Sequence, residues 1–217
     1  MIFILCQNQM STNTVSQSGE METHGVPNDL LPNVNSIAVI LLMPVLTHLL
    51  YPSFRRWNIA FPPITRMAVG FGFEALGMGY AAGIQGWIYS SGPCYDHPLK
   101  CPDSNNGMIP NNVNVVTQIP VYILQGLSES FAFPACYEYA YTKAPKSMKS
   151  IVQSILSLSF AGAAIIGLAL SPTYHDPHLL VMYASLAGTM LLTTVIFALV
   201  FWKYNRTEKE MNAKLRA

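Results

Sequence analysis

Leu124-Gln-Gly-Leu-Ser-Glu129-Ser-Phe-Ala-Phe-Pro-Ala-Cys-Tyr-Glu138-Tyr-Ala-Tyr-Thr-Lys-Ala-Pro145 is a largely apolar stretch whose carboxylate Glu129 falls where a membrane-spanning helix crosses the bilayer midplane. A charge at that depth costs several kcal/mol, roughly 2.5–3.5 on insertion scales, so it persists only facing a wet cavity, a partner or a substrate. Gln125, Ser128 and Ser130 flank it, a polar setting that favours a cavity. A transport pathway is the expectation that follows.

Outward from this stretch the chain is apolar almost throughout. Of its 217 residues 51% are hydrophobic and 11% charged, too few charges for a soluble domain, where about 25% is usual. Hydrophobic runs cover Ile37 to Tyr51, Ile64 to Tyr89, Val115 to Tyr141, Ile151 to Ser171 and Leu179 to Trp202. Most can cross about 30 Å at about 1.5 Å per residue. The less apolar start, Ile2 to Val15, leaves a sixth helix open on its own evidence. The predicted helices are about 2–18, 34–51, 64–89, 115–141, 151–171 and 178–202, with 203–217 as a tail.

Basic residues set an expected orientation. Arg55, Arg56, Arg66, Lys143, Lys146, Lys149, Lys203, Arg206, Lys209, Lys214 and Arg216 fall on one side of this topology, and only Lys100 on the other. The positive-inside rule makes the rich side, with the C-terminus, cytoplasmic. The opposite loops carry Glu20, Glu22, Asp29, Asp96, Asp103 and Asp176. Trp57, Trp87 and Trp202 sit near helix ends, at the level where amphipathic rings collect. The tail pairs Glu210 with Lys214 at helical spacing and reads as a solvated helix end.

Four cysteines are present. Cys94 and Cys101 share the loop assigned to the outside, where thiols this close in sequence are expected to form a disulfide; two unpaired loop thiols are the alternative. Cys6 and Cys136 lie in apolar segments and read as small buried hydrophobes. The loop from about Ser90 to Asn114 is rich in Pro, Gly, Asn and Asp and reads as turns. Gly79 with Gly83, and the ridge Ser159, Ala163, Gly167 and Ser171, are predicted helix contacts.

Two further carboxylates lie in apolar spans. Glu138 is nine residues from Glu129, and steps of about 100° put the two on opposite faces of one helix. It is expected to act as a structural latch with a basic loop residue such as Lys143, with substrate contact as the alternative. Glu74 is open between lining a cavity, bonding a neighbouring helix and staying protonated by desolvation. His175, Asp176 and His178 have the right types for ligands but no recognised metal spacing. No nucleotide-binding glycine loop or hydrolase motif is present, so no enzyme, cofactor or nucleic-acid role is expected.

Glu138-Tyr-Ala-Tyr-Thr-Lys-Ala-Pro145 with Ser147-Met-Lys149, preceded by Glu129, resembles the tenth helix and following loop of the proton-coupled oligopeptide transporters, especially their fungal branch. Cys6-Gln-Asn-Gln-Met10, Gly25-Val-Pro-Asn-Asp29, Asn35 to Pro44, Tyr51-Pro-Ser-Phe-Arg55 and Pro62-Pro-Ile-Thr-Arg66 resemble its seventh to ninth helices. The resemblance covers essentially the whole chain. It implies an all-α membrane protein, the C-terminal six-helix bundle of a twelve-helix major facilitator transporter with an incomplete first helix.

The family's N-terminal Glu-x-x-Glu-Arg motif is missing here. The expectation is therefore a truncated gene model, a fragment or a half-transporter, inactive alone. By resemblance Glu129 holds the amino terminus of a di- or tripeptide, Asn35 helps it, and Gln9 lines the cavity. The coupling ion would be a proton, the membrane the plasma membrane, and the partners lipid and an N-terminal bundle or full-length relative. Ile4 stands where members often have Trp, and Asn8 where many have an acid. The alternatives are a carrier of another small solute such as nitrate, against which Glu129 argues, and a membrane fragment that only associates with other helices.

Overall fold

The computed structural model describes residues 1–57, 61–105, 107–145, 147–170 and 176–214, with backbone alone for Asp29 and 202–214. Lys146, Ser171 and His175 therefore lie outside the described residues, as do the side chains of the basic tail. Six helices form among the described residues: α1 Ile2–Gly19, α2 Pro32–Arg56, α3 Pro63–Ser90, α4 Ile119–Lys143, α5 Lys149–Leu170 and α6 Leu179–Lys214.

Proline punctuates them. α3 opens on Pro63 after an extended Pro62, where a missing amide costs no helical bond. α4 ends as Ala144 turns extended, the conformation imposed on a residue before proline. α2 contains Pro44 and widens into a π segment over Leu46–Leu50; Pro52 in the next turn offers no amide to the ladder.

Among the described residues four helices are long and apolar enough to cross a membrane: α2, α3, α5 and Leu179–Phe201 of α6. α1 and α4 are diluted by Gln, Asn, Ser and Glu, and one set of those polar side chains is turned inward. Gln7, Gln9, Asn13 and Gln17 of α1 and Gln125, Ser128 and Ser130 of α4 are all buried. Outside, Ile37, Ile40, Leu41, Ile155, Leu158, Leu168, Leu191 and Leu199 are exposed, the inverse of a soluble bundle. α2 buries only Leu46, and α5 only Ala163 and Gly167.

α3 is the central element, packed against α4 and α6, while α2 leans on α4 and α1 on α5. Its glycines differ in use. A Cβ on Gly70 would lie 2.9 Å from Ser128 O and from the Ala132 backbone nitrogen, so the backbones of α3 and α4 touch there. Gly79 and Gly83 face open space; the expectation that they mark a helix contact is corrected, because the packed stripe of α3 runs through Gly70, Glu74, Gly77 and Ala81 instead. On the α5 ridge Ala163 and Gly167 are buried.

At the far end of α3 the loop read as turns contains a short strand, β2 Asn111–Asn114, parallel to β1 Met21–Glu22. Asn111, fully buried, donates to Ile88 O at 2.8 Å and accepts from the Cys94 amide at 3.2 Å. A disulfide joins Cys94 to Cys101 across a Cα separation of 5.4 Å.

Candidate functional site

Glu129 lies where three helices converge. Gly126, one turn earlier on α4, admits α2 so closely that an added Cβ would stand 3.1 Å from both Ala38 Cβ and Asn35 Oδ1. Asn35 Nδ2 thereby donates to Glu129 Oε1 at 2.9 Å, and Gln7 Nε2 of α1 donates to the same oxygen. One turn along, Gln125 donates to Ser11 Oγ at 2.6 Å, fixing α4 to α1.

The half-buried carboxylate is thus held by two neutral amides. No Lys, Arg or His forms an ion pair with it among the described residues. The amide oxygens Gln7 Oε1 and Asn35 Oδ1 are buried without a hydrogen-bond donor among the described residues. Around one anion there are consequently two unused acceptors, a set that suits a group rich in N–H donors.

Other expected site residues lie elsewhere. Gln9 is two residues, about 200° of helical rotation, from Gln7. It accepts from Asn13 at 3.2 Å and occupies the space above Gly167 of α5, so the structure does not bring it to Glu129. The side chain at Glu129 from α1 is Gln7, and only knowledge of where α4 lies could have selected it. Glu138 pairs with Arg66 Nη1 at 3.3 Å, and Lys143 stands 5.9 Å from the Tyr139 ring. Arg66 also donates to Phe61 O and lies 4.3 Å from the Tyr51 ring centroid, linking α2, α3 and α4.

A second polar system runs along α1. Gln118 donates to Thr14 O at 2.8 Å and to Gln17 Oε1 at 3.0 Å; Gln17 donates to Ala81 O at 3.0 Å and to Gln85 Oε1 at 2.8 Å. Gln85 in turn donates to Glu20 Oε2 at 2.8 Å. Burial first, and then the Asp176 carboxylate beside it, push the Glu20 carboxyl up to about 7, with the Gln85 bond opposing. Tyr89 closes this end by donating to Asp176 Oδ1 at 2.6 Å. Among the described residues no group of three His, Cys, Asp or Glu is placed to hold a metal.

A bundle of apolar helices around an amide-held carboxylate is the build of a multi-pass integral membrane protein with an internal polar site. The sequence matches the family model PTR2, described as the POT family, over residues 1–203, and the chain belongs to that family, one of transporters rather than enzymes. It is 46% identical over 209 residues to the peptide transporter imqD of Aspergillus flavus, covering 96% of this chain and 52% of the relative. It is 42% identical to the peptide transporter PTR2 of Saccharomyces cerevisiae, over 94% of this chain and 33% of that one. The peptide transporter PTR_A of Candidozyma auris is 41% identical, over 97% and 36%. The crystal structure of the POT family transporter PepTSo superposes with a TM-score of 0.75 at 21% identity, covering 94% of this chain and 39% of that one. The chain thus spans about half or less of the length of these relatives.

Proposed function

We propose that this chain forms the C-terminal bundle of a proton-coupled symporter for di- and tripeptides, and that Glu129 anchors the peptide's amino terminus with help from Asn35. The supporting observation is the carboxylate itself: midway along α4, held by neutral amides, with two spare acceptors beside it. An ammonium docking there makes charge-assisted bonds, stronger than neutral ones. The family's peptide transporters and the inward-turned polar faces of α1 and α4 support the same reading.

In this reading the site lies between two bundles that rock about it, as in alternating-access carriers. This chain supplies one wall and is inactive alone. The Arg66–Glu138 end faces the cytoplasm and the Cys94–Cys101 end the outside of the plasma membrane, the orientation that the basic residues favour.

The test joins the chain to an N-terminal bundle of a family member and compares dipeptides with free and acetylated amino groups. Glu129→Gln keeps size and some hydrogen bonding but removes the anion. Free-amino peptides are expected to lose about 2–5 kcal/mol of binding, the cost of truncating a buried charge pair, and acetylated ones far less. Equal binding of both classes by parent and variant rejects the anchor.

A further inference from the structure

Between the last turns of α2 and the start of α3 lies a cavity of about 460 Å³, within the range usual for ligand sites, roughly 300–1,000 Å³. Thr47, Tyr51 and Arg55, spaced at four residues along α2, line it on one side, and Phe61 and Arg66 on the α3 side. Packed rings build its apolar walls: the Phe61 ring centroid stands 5.1 Å from that of Phe54 and 6.1 Å from that of Tyr51.

The two guanidiniums differ. Arg66 is fixed, with Nε donating to Phe61 O at 3.1 Å, Nη1 donating to Glu138 at 3.3 Å, and the group lying 4.3 Å from the Tyr51 ring centroid. Glu138 balances its charge. Arg55 is exposed and has no ion pair or hydrogen bond among the described residues. The cavity thus has one uncompensated cation beside a second, pre-oriented one, whose remaining N–H groups can take a further acceptor.

We propose that this cavity seats the phosphate of an anionic phospholipid, its oxygens taken by Arg55 and Arg66. A guanidinium fork matches phosphate oxygens and binds them with charge-assisted bonds. Depth in the membrane favours a lipid over a free anion. Arg55 is the last residue but one of α2 and Arg66 the fourth of α3, so both lie at the headgroup level of helices long enough to span the bilayer, where basic pockets meet lipid phosphates. Apolar surface also continues from the cavity. α2 leads inward through Leu49, Val45 and Leu41, exposed by 63%, 46% and 64%, a bed for acyl chains that bare phosphate cannot use. A lipid seated there bridges α2 to α3, whatever Glu129 binds.

The experiment delipidates the full chain in a neutral detergent and measures lipid retention by native mass spectrometry. At equal concentrations the chain is expected to retain one dioleoylphosphatidylglycerol about tenfold better than dioleoylphosphatidylcholine, whose headgroup is neutral overall. Arg55→Gln should cut retention of the anionic lipid about tenfold, the loss of one hydrogen bond to a charged group, and leave the melting temperature in detergent alone unchanged. Arg56→Gln, at an exposed neighbour outside the cavity lining, should leave retention as it is. No preference in the parent, or parental retention by Arg55→Gln, overturns the site. Equal losses in Arg55→Gln and Arg56→Gln also overturn it, since they mark diffuse attraction to surface charge. Inorganic phosphate that displaces the lipid at matched concentration rejects the lipid as occupant in favour of a free anion.

Discussion

Gln7 on α1 and Glu20 just past its end show how a single side chain can take its meaning from a helix far away in sequence. Gln7→Leu would leave Glu129 held by Asn35 alone, removing a hydrogen bond to a charged group worth about 1.5–3 kcal/mol. The expected result, once the chain is paired with an N-terminal bundle, is a weaker and less selective grip on free-amino peptides, measured by equilibrium binding. Gln9→Leu, at a position turned toward Gly167, should leave the selectivity unchanged.

Glu20 gives the chain a pH response at the loop end. Its carboxyl is raised from 4.5 to about 7 in the folded protein, so the folded state holds the proton more tightly than the unfolded one. Stability is then greatest below 4.5, falls as pH rises through about 7, and stays lower above. The total is on the order of 3–4 kcal/mol. A thermal-melting series in lipid from acid to neutral pH should show this decline in the parent and a flatter profile in Glu20→Gln.

Among elements, α3 and α4 define the tightest contact, and their glycines separate packing from flexibility. Gly70→Ala sets a Cβ against the α4 backbone and should cost about 1–3 kcal/mol, as overpacking does. Gly79→Ala adds its methyl in open space and should be neutral or mildly stabilising, since alanine is the better helix former. Melting temperatures of the two variants in the same lipid check the contrast.

The same contrast marks what could be read without coordinates. Five helices and their approximate bounds followed from apolar runs broken by Pro and Gly, because length and transfer free energy decide them; the first helix, diluted by Gln, Asn, Ser and Thr, was left open by its residues alone. Glu129 stood out for the same reason, a charge at the wrong depth. Asn35 entered only through resemblance, as nothing local distinguishes it from Asn33. The Arg66–Glu138 pair joins residues 72 apart, and helical phase alone could not say that Gln7, and not Gln9, turns to α4. Gly79 and Gly83 were misjudged because small-residue spacing marks a smooth face without saying what lies opposite.

For the whole molecule, the proposed orientation puts the Cys94–Cys101 loop outside. An impermeant maleimide applied to intact cells should label these two cysteines only after reduction, and labelling without reductant would contradict either the linkage or its oxidation in the cell. The sequon Asn205-Arg-Thr207 should carry no glycan, since it follows the last span on the cytoplasmic side. A glycan there would invert the topology.

α2 is held in the molecule lightly: apart from Leu46 its residues are not buried, and its neighbour is α4. Its 25 residues extend about 37 Å, against a hydrocarbon thickness of about 30 Å. A helix longer than its membrane tilts, at a cost of fractions of a kcal/mol per Å. Among the described residues the tightest hold on α2 is the approach to Gly126 of α4, and Asn35 lies at that contact. Bilayer thickness, set by acyl chain length and sterol content, thereby becomes a control on how firmly Asn35 meets Glu129, and the same protein would hold its carboxylate differently in thin and in thick membranes.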